Sequence, residues 1–199
     1  MPDGLYSLET DGSVLGGERH ESHDWPSTGG AGIVLWDPSM QAIPVEWNHL
    51  GVVSGSTEAE FRAALIGLRR ANERRIARLR LRLDCQPVLQ HLSGERILAK
   101  KWTAAAEHEL RDLLATFQSV ELRWTPSTHA PERRAGVPTA DALARKAVGL
   151  GTRAGRRPGR RGLCNLDRIG TTPRAVWGGS TNSKVFALGA PRRQGELRT

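Results

Sequence analysis

The sequence predicts a mixed α/β fold, a five-stranded sheet with helices on its faces, in the order β-β-β-α-β-α-α-β-α. Three observations predict it. Three strand-like segments crowd the first 52 residues, close enough in sequence for an antiparallel meander. Residues 77–84 alternate leucine and arginine almost perfectly. Helical periodicity then takes over at 57–75, 98–117 and 139–150 with strands between, and such β-α alternation builds parallel pairings.

Leu5–Thr10 reads as the first strand, running into a turn at Asp11-Gly12-Ser13. Residues 14–30 are rich in Gly, Ser, His and charge and read as a loop. Ala31–Asp37 and Ala42–Val52 are the next two strands, separated by a turn at Asp37-Pro38-Ser39. Gly29-Gly30-Ala31-Gly32 is no dinucleotide fingerprint, because a strand rather than a helix follows; it permits a close approach to the sheet. Thr57–Arg75 is a helix with Phe61, Leu65, Leu68 and Ala71 on one face. Ala77–Asp84 is a strand that buries Leu79, Leu81 and Leu83 and turns Arg78, Arg80 and Arg82 to solvent.

A short helix runs from Gln86 to Leu92, and Ser93-Gly94 ends it. Leu98–Phe117 is a longer amphipathic helix with Trp102, Leu110, Leu113, Leu114 and Phe117 on its apolar side. Val120–Thr125 is the fifth strand. A loop containing Pro and Arg covers 126–138, and Thr139–Leu150 is the last helix. Trp36, Trp47, Trp102 and Trp124 all fall at positions that suit core packing, with Trp102 the best placed for base stacking.

A length of 199 residues suits one domain with a substantial core, over residues 1–150, followed by a tail at 151–199. The formal net charge of +8 is unevenly spread. Residues 1–149 carry 18 Lys+Arg against 19 Asp+Glu, whereas residues 150–199 carry 11 against 2. The tail, with Arg156-Arg157-Pro158-Gly159-Arg160-Arg161, lacks hydrophobic periodicity and reads as disordered. Such a segment either binds polyanions non-specifically through counterion release or is simply solvated. Cys85 and Cys164 form no disulfide framework. With no long apolar span and no signal-like start, a reduced cytoplasmic setting without membrane contact is expected.

The chemistry-bearing residues are four separated acids, Asp11, Glu60, Asp84 and Asp141. Carboxylates gathered by a fold are how proteins hold Mg²⁺ or Mn²⁺ for phosphodiester hydrolysis. Strand parity puts Ser7, Glu9 and Asp11 on one face, and Asp84 on the face of Arg78, Arg80 and Arg82. If the first and fourth strands are parallel neighbours, Asp11 and Asp84 end side by side. Each acid has a plainer reading. Asp11 fits an Asp-Gly turn, Glu60 could close a capping box with Thr57, Asp84 could merely end a strand, and Asp141 could complement a helix dipole.

Thr10-Asp11-Gly12-Ser13, the helix start at 57–65, Asp84-Cys85-Gln86 and Ala140-Asp141-Ala142-Leu143-Ala144 together resemble type 1 ribonuclease H, of the ribonuclease H-like superfamily. The likeness covers about residues 4–150, in that family's element order. It implies endonucleolytic cleavage of the RNA strand of an RNA–DNA hybrid with two Mg²⁺ or Mn²⁺ ions. By matching position, Asp11, Glu60, Asp84 and Asp141 would hold the metals. Gly12, Ser13, Ser56, Thr57 and Gln86 would face the hybrid, and the chain would act as a monomer. His129 would be the family's loop histidine, although the loop before Asp141 is lengthened and Val137 and Pro138 stand where the family has an Asn. The basic protrusion of some members is missing, with Lys100-Lys101-Trp102 its only echo.

Overall fold

The computed structural model describes residues 4–15, 27–125, 137–150 and 184–186. Six strands make one sheet: β1 (Leu5–Leu15), β2 (Ser27–Trp36), β3 (Ala42–Val53), β4 (Arg78–Leu83), β5 (Ser119–Trp124) and β6 (Lys184–Phe186). Four helices accompany it: α1 (Ser56–Glu73), α2 (Gln86–Leu92), α3 (Lys101–Thr116) and α4 (Ala140–Ala147). The strand order is β3-β2-β1-β4-β5-β6. β1, β2 and β3 form the expected antiparallel meander, and β4 lies parallel to both β1 and β5. These parallel steps are made by α1 and by the α2–α3 pair, because parallel neighbours need long crossovers.

The mixed architecture is as the sequence implies, with a sixth strand added. The backbone of Lys184–Phe186, from the basic tail, pairs antiparallel with β5. β1 also outruns its expected end. Asp11-Gly12-Ser13 is not a turn; the strand continues to Leu15, because β2 pairs with it residue by residue from Ser7 to Leu15. β2 correspondingly begins at Ser27, inside the stretch read as loop.

The larger core lies between one sheet face and α1, α2 and α3. There Leu8, Ile33, Leu35, Leu79, Leu81 and Leu83 meet Phe61, Leu65, Leu68, Leu110 and Leu113. The opposite face holds a smaller cluster, Val34 and Trp36 against Ala140 and Leu143 of α4. α4 sits very close to the sheet: a methyl group on Gly32 would overlap the Ala140 carbonyl, and one on Gly30 would press on Ala144 and Ala147. The glycine cluster thus serves the close approach its composition implied.

The arginine side of β4 is less solvated than alternation implied. Arg78 is exposed, but Arg80 is half-buried and bonds Glu121 at 2.8 Å, and Arg82 is buried beside Glu9 at 3.4 Å. At the outer edge, β3 bulges twice. The pairs Val34–Val45 and Leu35–Ile43 leave Pro44 extra, and Gly30–His49 and Gly29–Gly51 leave Leu50 extra. Among the described residues no helix is long and apolar enough to cross a membrane.

Candidate metal centre

The site is assembled by register. Each β1–β4 pair joins residues 73 apart in sequence, from Leu5 with Arg78 to Glu9 with Arg82. Carried two residues further at the same offset, Asp11 falls beside Asp84, just past the end of β4. Parallel pairing therefore brings these two acids to one end of the sheet, as parity required. Asp84 is also where the chain leaves the sheet, since α2 starts two residues later with Cys85 as its N-cap.

Glu60 arrives from α1. Gly12 makes this possible: a methyl group there would overlap the backbone of Ala59 and Glu60, so only glycine lets the helix start lie against β1. The Gly12 amide also donates a hydrogen bond to the Glu60 carboxylate. Ligand oxygens of Asp11, Glu60 and Asp84 all lie within 4.8 Å of one another.

The alternative role for Glu60 is filled by another residue. The N-cap of α1 is Gly55, two residues before the Thr57 of the capping-box reading, so Glu58 becomes the third helical residue. Its Oε2 accepts from the Ser54 amide at 2.8 Å and the Ser54 hydroxyl at 2.7 Å. Arg62 completes this end of the helix, pairing with Glu58 and donating to the carbonyls of Leu50 and Val52. Glu60 is left out of the capping and points into the acid group.

Glu60 is buried, and its Oε2 has no hydrogen-bond partner. An orphaned acceptor in a low-dielectric setting is costly unless something positive meets it. Burial is the largest cause pushing the Glu60 carboxyl well above the usual carboxylate range. Asp11, Asp84 and Cys85 push the same way, and only the Gly12 amide opposes them. Without a cation, Glu60 therefore tends to keep its proton. Its raised value favours the folded state below the ordinary glutamate range, and that contribution is lost as pH rises through the raised value.

A bound cation must displace that proton, so divalent-ion affinity should increase with pH across this window. Calorimetric Mg²⁺ titrations in two buffers of different ionisation enthalpy should show proton release on binding by the wild type, and none by Glu60→Gln. Equal proton counts for the two proteins would mean that Glu60 is already ionised.

The remaining residues are distributed as follows. Asp141 is exposed in the first turn of α4, where the Thr139 hydroxyl caps the helix by accepting from Ala142 N at 3.1 Å. Its neighbour Ala140 lies over Gly32, the pairing partner of Asp11. Yet Asp141 does not join the three-acid group. Ser56 and Gln86 are exposed at the starts of α1 and α2, Thr57 and Ser13 are half-buried, and Gly12 lies beneath α1. His129 lies outside the described residues.

Trp102 is half-buried and packs against Phe61, with ring centroids 5.2 Å apart. Trp47 and Trp124, both expected in the core, are exposed instead. Sequence reasoning missed that the Trp124 indole donates to the Asp84 carbonyl at 3.2 Å. The only signal was its place at the end of the strand beside β4.

A family model described as reverse transcriptase-like matches residues 21–147. No curated protein gives a match. Among solved structures, the chain is similar to RNase H1 from the halophilic archaeon Halobacterium salinarum, at 23% identity and a TM-score of 0.60, over 73% of this chain and 98% of that one. It is similar also to the N-terminal RNase H domain of a Mycobacterium tuberculosis protein, at 21% identity and a TM-score of 0.60, covering 73% and 94% of the two chains. A third, LC11-RNase H1 solved in complex with an RNA/DNA hybrid, is 15% identical with a TM-score of 0.58, over 72% and 96%.

Proposed function

The chain belongs to the reverse transcriptase-like family of the ribonuclease H-like superfamily, and from that premise we propose that it is a metal-dependent endonuclease cutting the RNA strand of RNA–DNA hybrids. One observation carries the reading: Asp11, Glu60 and Asp84, from β1, α1 and the end of β4, converge within 4.8 Å around a buried carboxylate oxygen that has no partner. Three carboxylates crowded together repel one another unless a cation joins them, so the residues present fit a divalent ion. An all-oxygen donor set suits Mg²⁺ or Mn²⁺ better than zinc.

Asp11, Glu60 and Asp84 would hold that metal, as one ion or two. When bound, it would act as a Lewis acid toward a phosphate oxygen and make a coordinated water more acidic. The chain's own contribution is positional. The β1–β4 ladder fixes two of the acids, and Gly12 fixes the third through its amide and its lack of a side chain. Exposed polar groups at Ser56 and Gln86 flank the acids in the chain and are available to a sugar or phosphate. Recognition through backbone shape and the 2′-hydroxyl would make cleavage largely indifferent to base sequence.

Parallel digestion of a labelled hybrid, duplex RNA and single strands, with Mg²⁺ and with Mn²⁺, tests the reading. The hybrid's RNA strand should be nicked and the other substrates spared. An intact hybrid with both ions sinks the enzymatic reading. Asp141's position outside the acid group favours one rival, a module that binds metal and nucleic acid without cleaving. In that case Mg²⁺ binding and hybrid retention would persist with no product.

A further inference from the structure

We propose that Trp124 is a substrate-contacting residue of this site, its exposed indole face packing against a sugar of the bound hybrid beside the phosphate to be cut. This rests on the nucleic-acid reading above. Trp124 is the last residue of β5 and pairs with Leu83, the residue before Asp84. Its Nε1 donates to the Asp84 carbonyl at 3.2 Å, which pins the ring at the same sheet end as the three acids. Even so, the residue is 45% exposed.

The other described tryptophans are accounted for. Trp36 is buried in the smaller core, Trp102 packs on Phe61, and Trp47 carries the Lys146 ammonium 5.3 Å from its ring centre. No ring or cation among the described residues lies against Trp124. A rigid aromatic left open while its polar atom is satisfied offers a flat contact surface at this end of the sheet. Its setting decides which partner. Beside three carboxylates a phosphate is repelled unless metal intervenes, whereas the C–H face of a sugar carries no charge. Within a hybrid the base faces are already stacked on one another, which leaves sugars as the flat apolar surface on offer.

Steady-state cleavage of a labelled hybrid by Trp124→Phe and Trp124→Leu tests this. Phenylalanine keeps a flat ring and loses the N–H donor; leucine loses both. Trp124→Leu should raise KM about tenfold with kcat and the half-saturating Mg²⁺ concentration unchanged, and Trp124→Phe should stay near wild type. The proposal is overturned by an unchanged KM in Trp124→Leu. It is overturned equally if both variants shift KM, kcat and the Mg²⁺ requirement together, since the indole then acts only by holding Asp84. A defect confined to substrates with single-stranded ends would overturn it in favour of base stacking.

If the wild type cuts no hybrid, the nuclease reading falls while this one remains testable. Tryptophan fluorescence of the wild type should then be quenched on adding hybrid with Mg²⁺, and that change should be smaller in Trp124→Leu; equal quenching in the two proteins overturns the contact.

Discussion

Asp11→Asn should lower hybrid cleavage by roughly 10³-fold or more, equivalent to about 4 kcal/mol of transition-state stabilisation. The substitution keeps shape and removes charge. Asp11 lies within β1, in the stretch paired with β2, and its backbone hydrogen bonds do not depend on the side chain. The ladder should survive, so lost activity would not mean a lost fold. Thermal melting supplies the control. Asp11 is one of the charges that push the Glu60 carboxyl upward, so removing it relieves repulsion in the metal-free protein. The Asp11→Asn variant should therefore melt at or above the wild-type temperature without metal and gain less from added Mg²⁺. More than a tenth of wild-type activity would show that Asp11 is not a ligand.

Gly12→Ala should cost about 1–3 kcal/mol of stability, the usual penalty of overpacking, and should also weaken Mg²⁺ binding. A methyl group at this position meets the backbone of Ala59 and Glu60, and no rotamer can move backbone aside. The first turns of α1 would have to lift from β1, carrying Glu60 away from Asp11 and Asp84. Gly51→Ala is the matched control. Gly51 has φ 70 with open space where a methyl would go, so its cost is backbone strain with no overlap against the α1 backbone at Glu60. Urea unfolding should show both variants destabilised, while calorimetry shows weakened Mg²⁺ binding for Gly12→Ala alone. Equal Mg²⁺ affinities would mean that Gly12 does not position Glu60.

These two residues also show what was legible in the sequence. The Leu/Arg alternation of β4 has only one strand-like reading, and it fixed Asp84's place at a strand end. The four short motifs, in order, gave the family. The Asp11-Gly12 pair misled locally, because Asp-Gly is a turn signal and a single sequence cannot show that a helix from fifty residues away needs the glycine. Thr57-x-x-Glu60 misled for a similar reason. Two glutamates stand two residues apart, and a shift of two residues in the N-cap, from Thr57 to Gly55, hands that place to Glu58. Solvent exposure was unreadable for Trp124, whose strand neighbours are core residues but whose position at the strand end leaves it open. Asp141 was chosen on motif alone, and the helix that carries it sets it apart from the other three.

The two bulges of β3 bear on something else, the behaviour of the protein in concentrated solution. A sheet's outermost strand ordinarily offers a continuous row of unpaired amides and carbonyls to any passing chain, and two such edges can zip together. Here Pro44 has no amide to offer and interrupts the row, and the extra residue at Leu50 bends the strand a second time. The edge is therefore a poor template for intermolecular pairing. The device that discourages edge-to-edge pairing is thus built into an outer strand rather than into β1 or β4, whose ends carry Asp11 and Asp84.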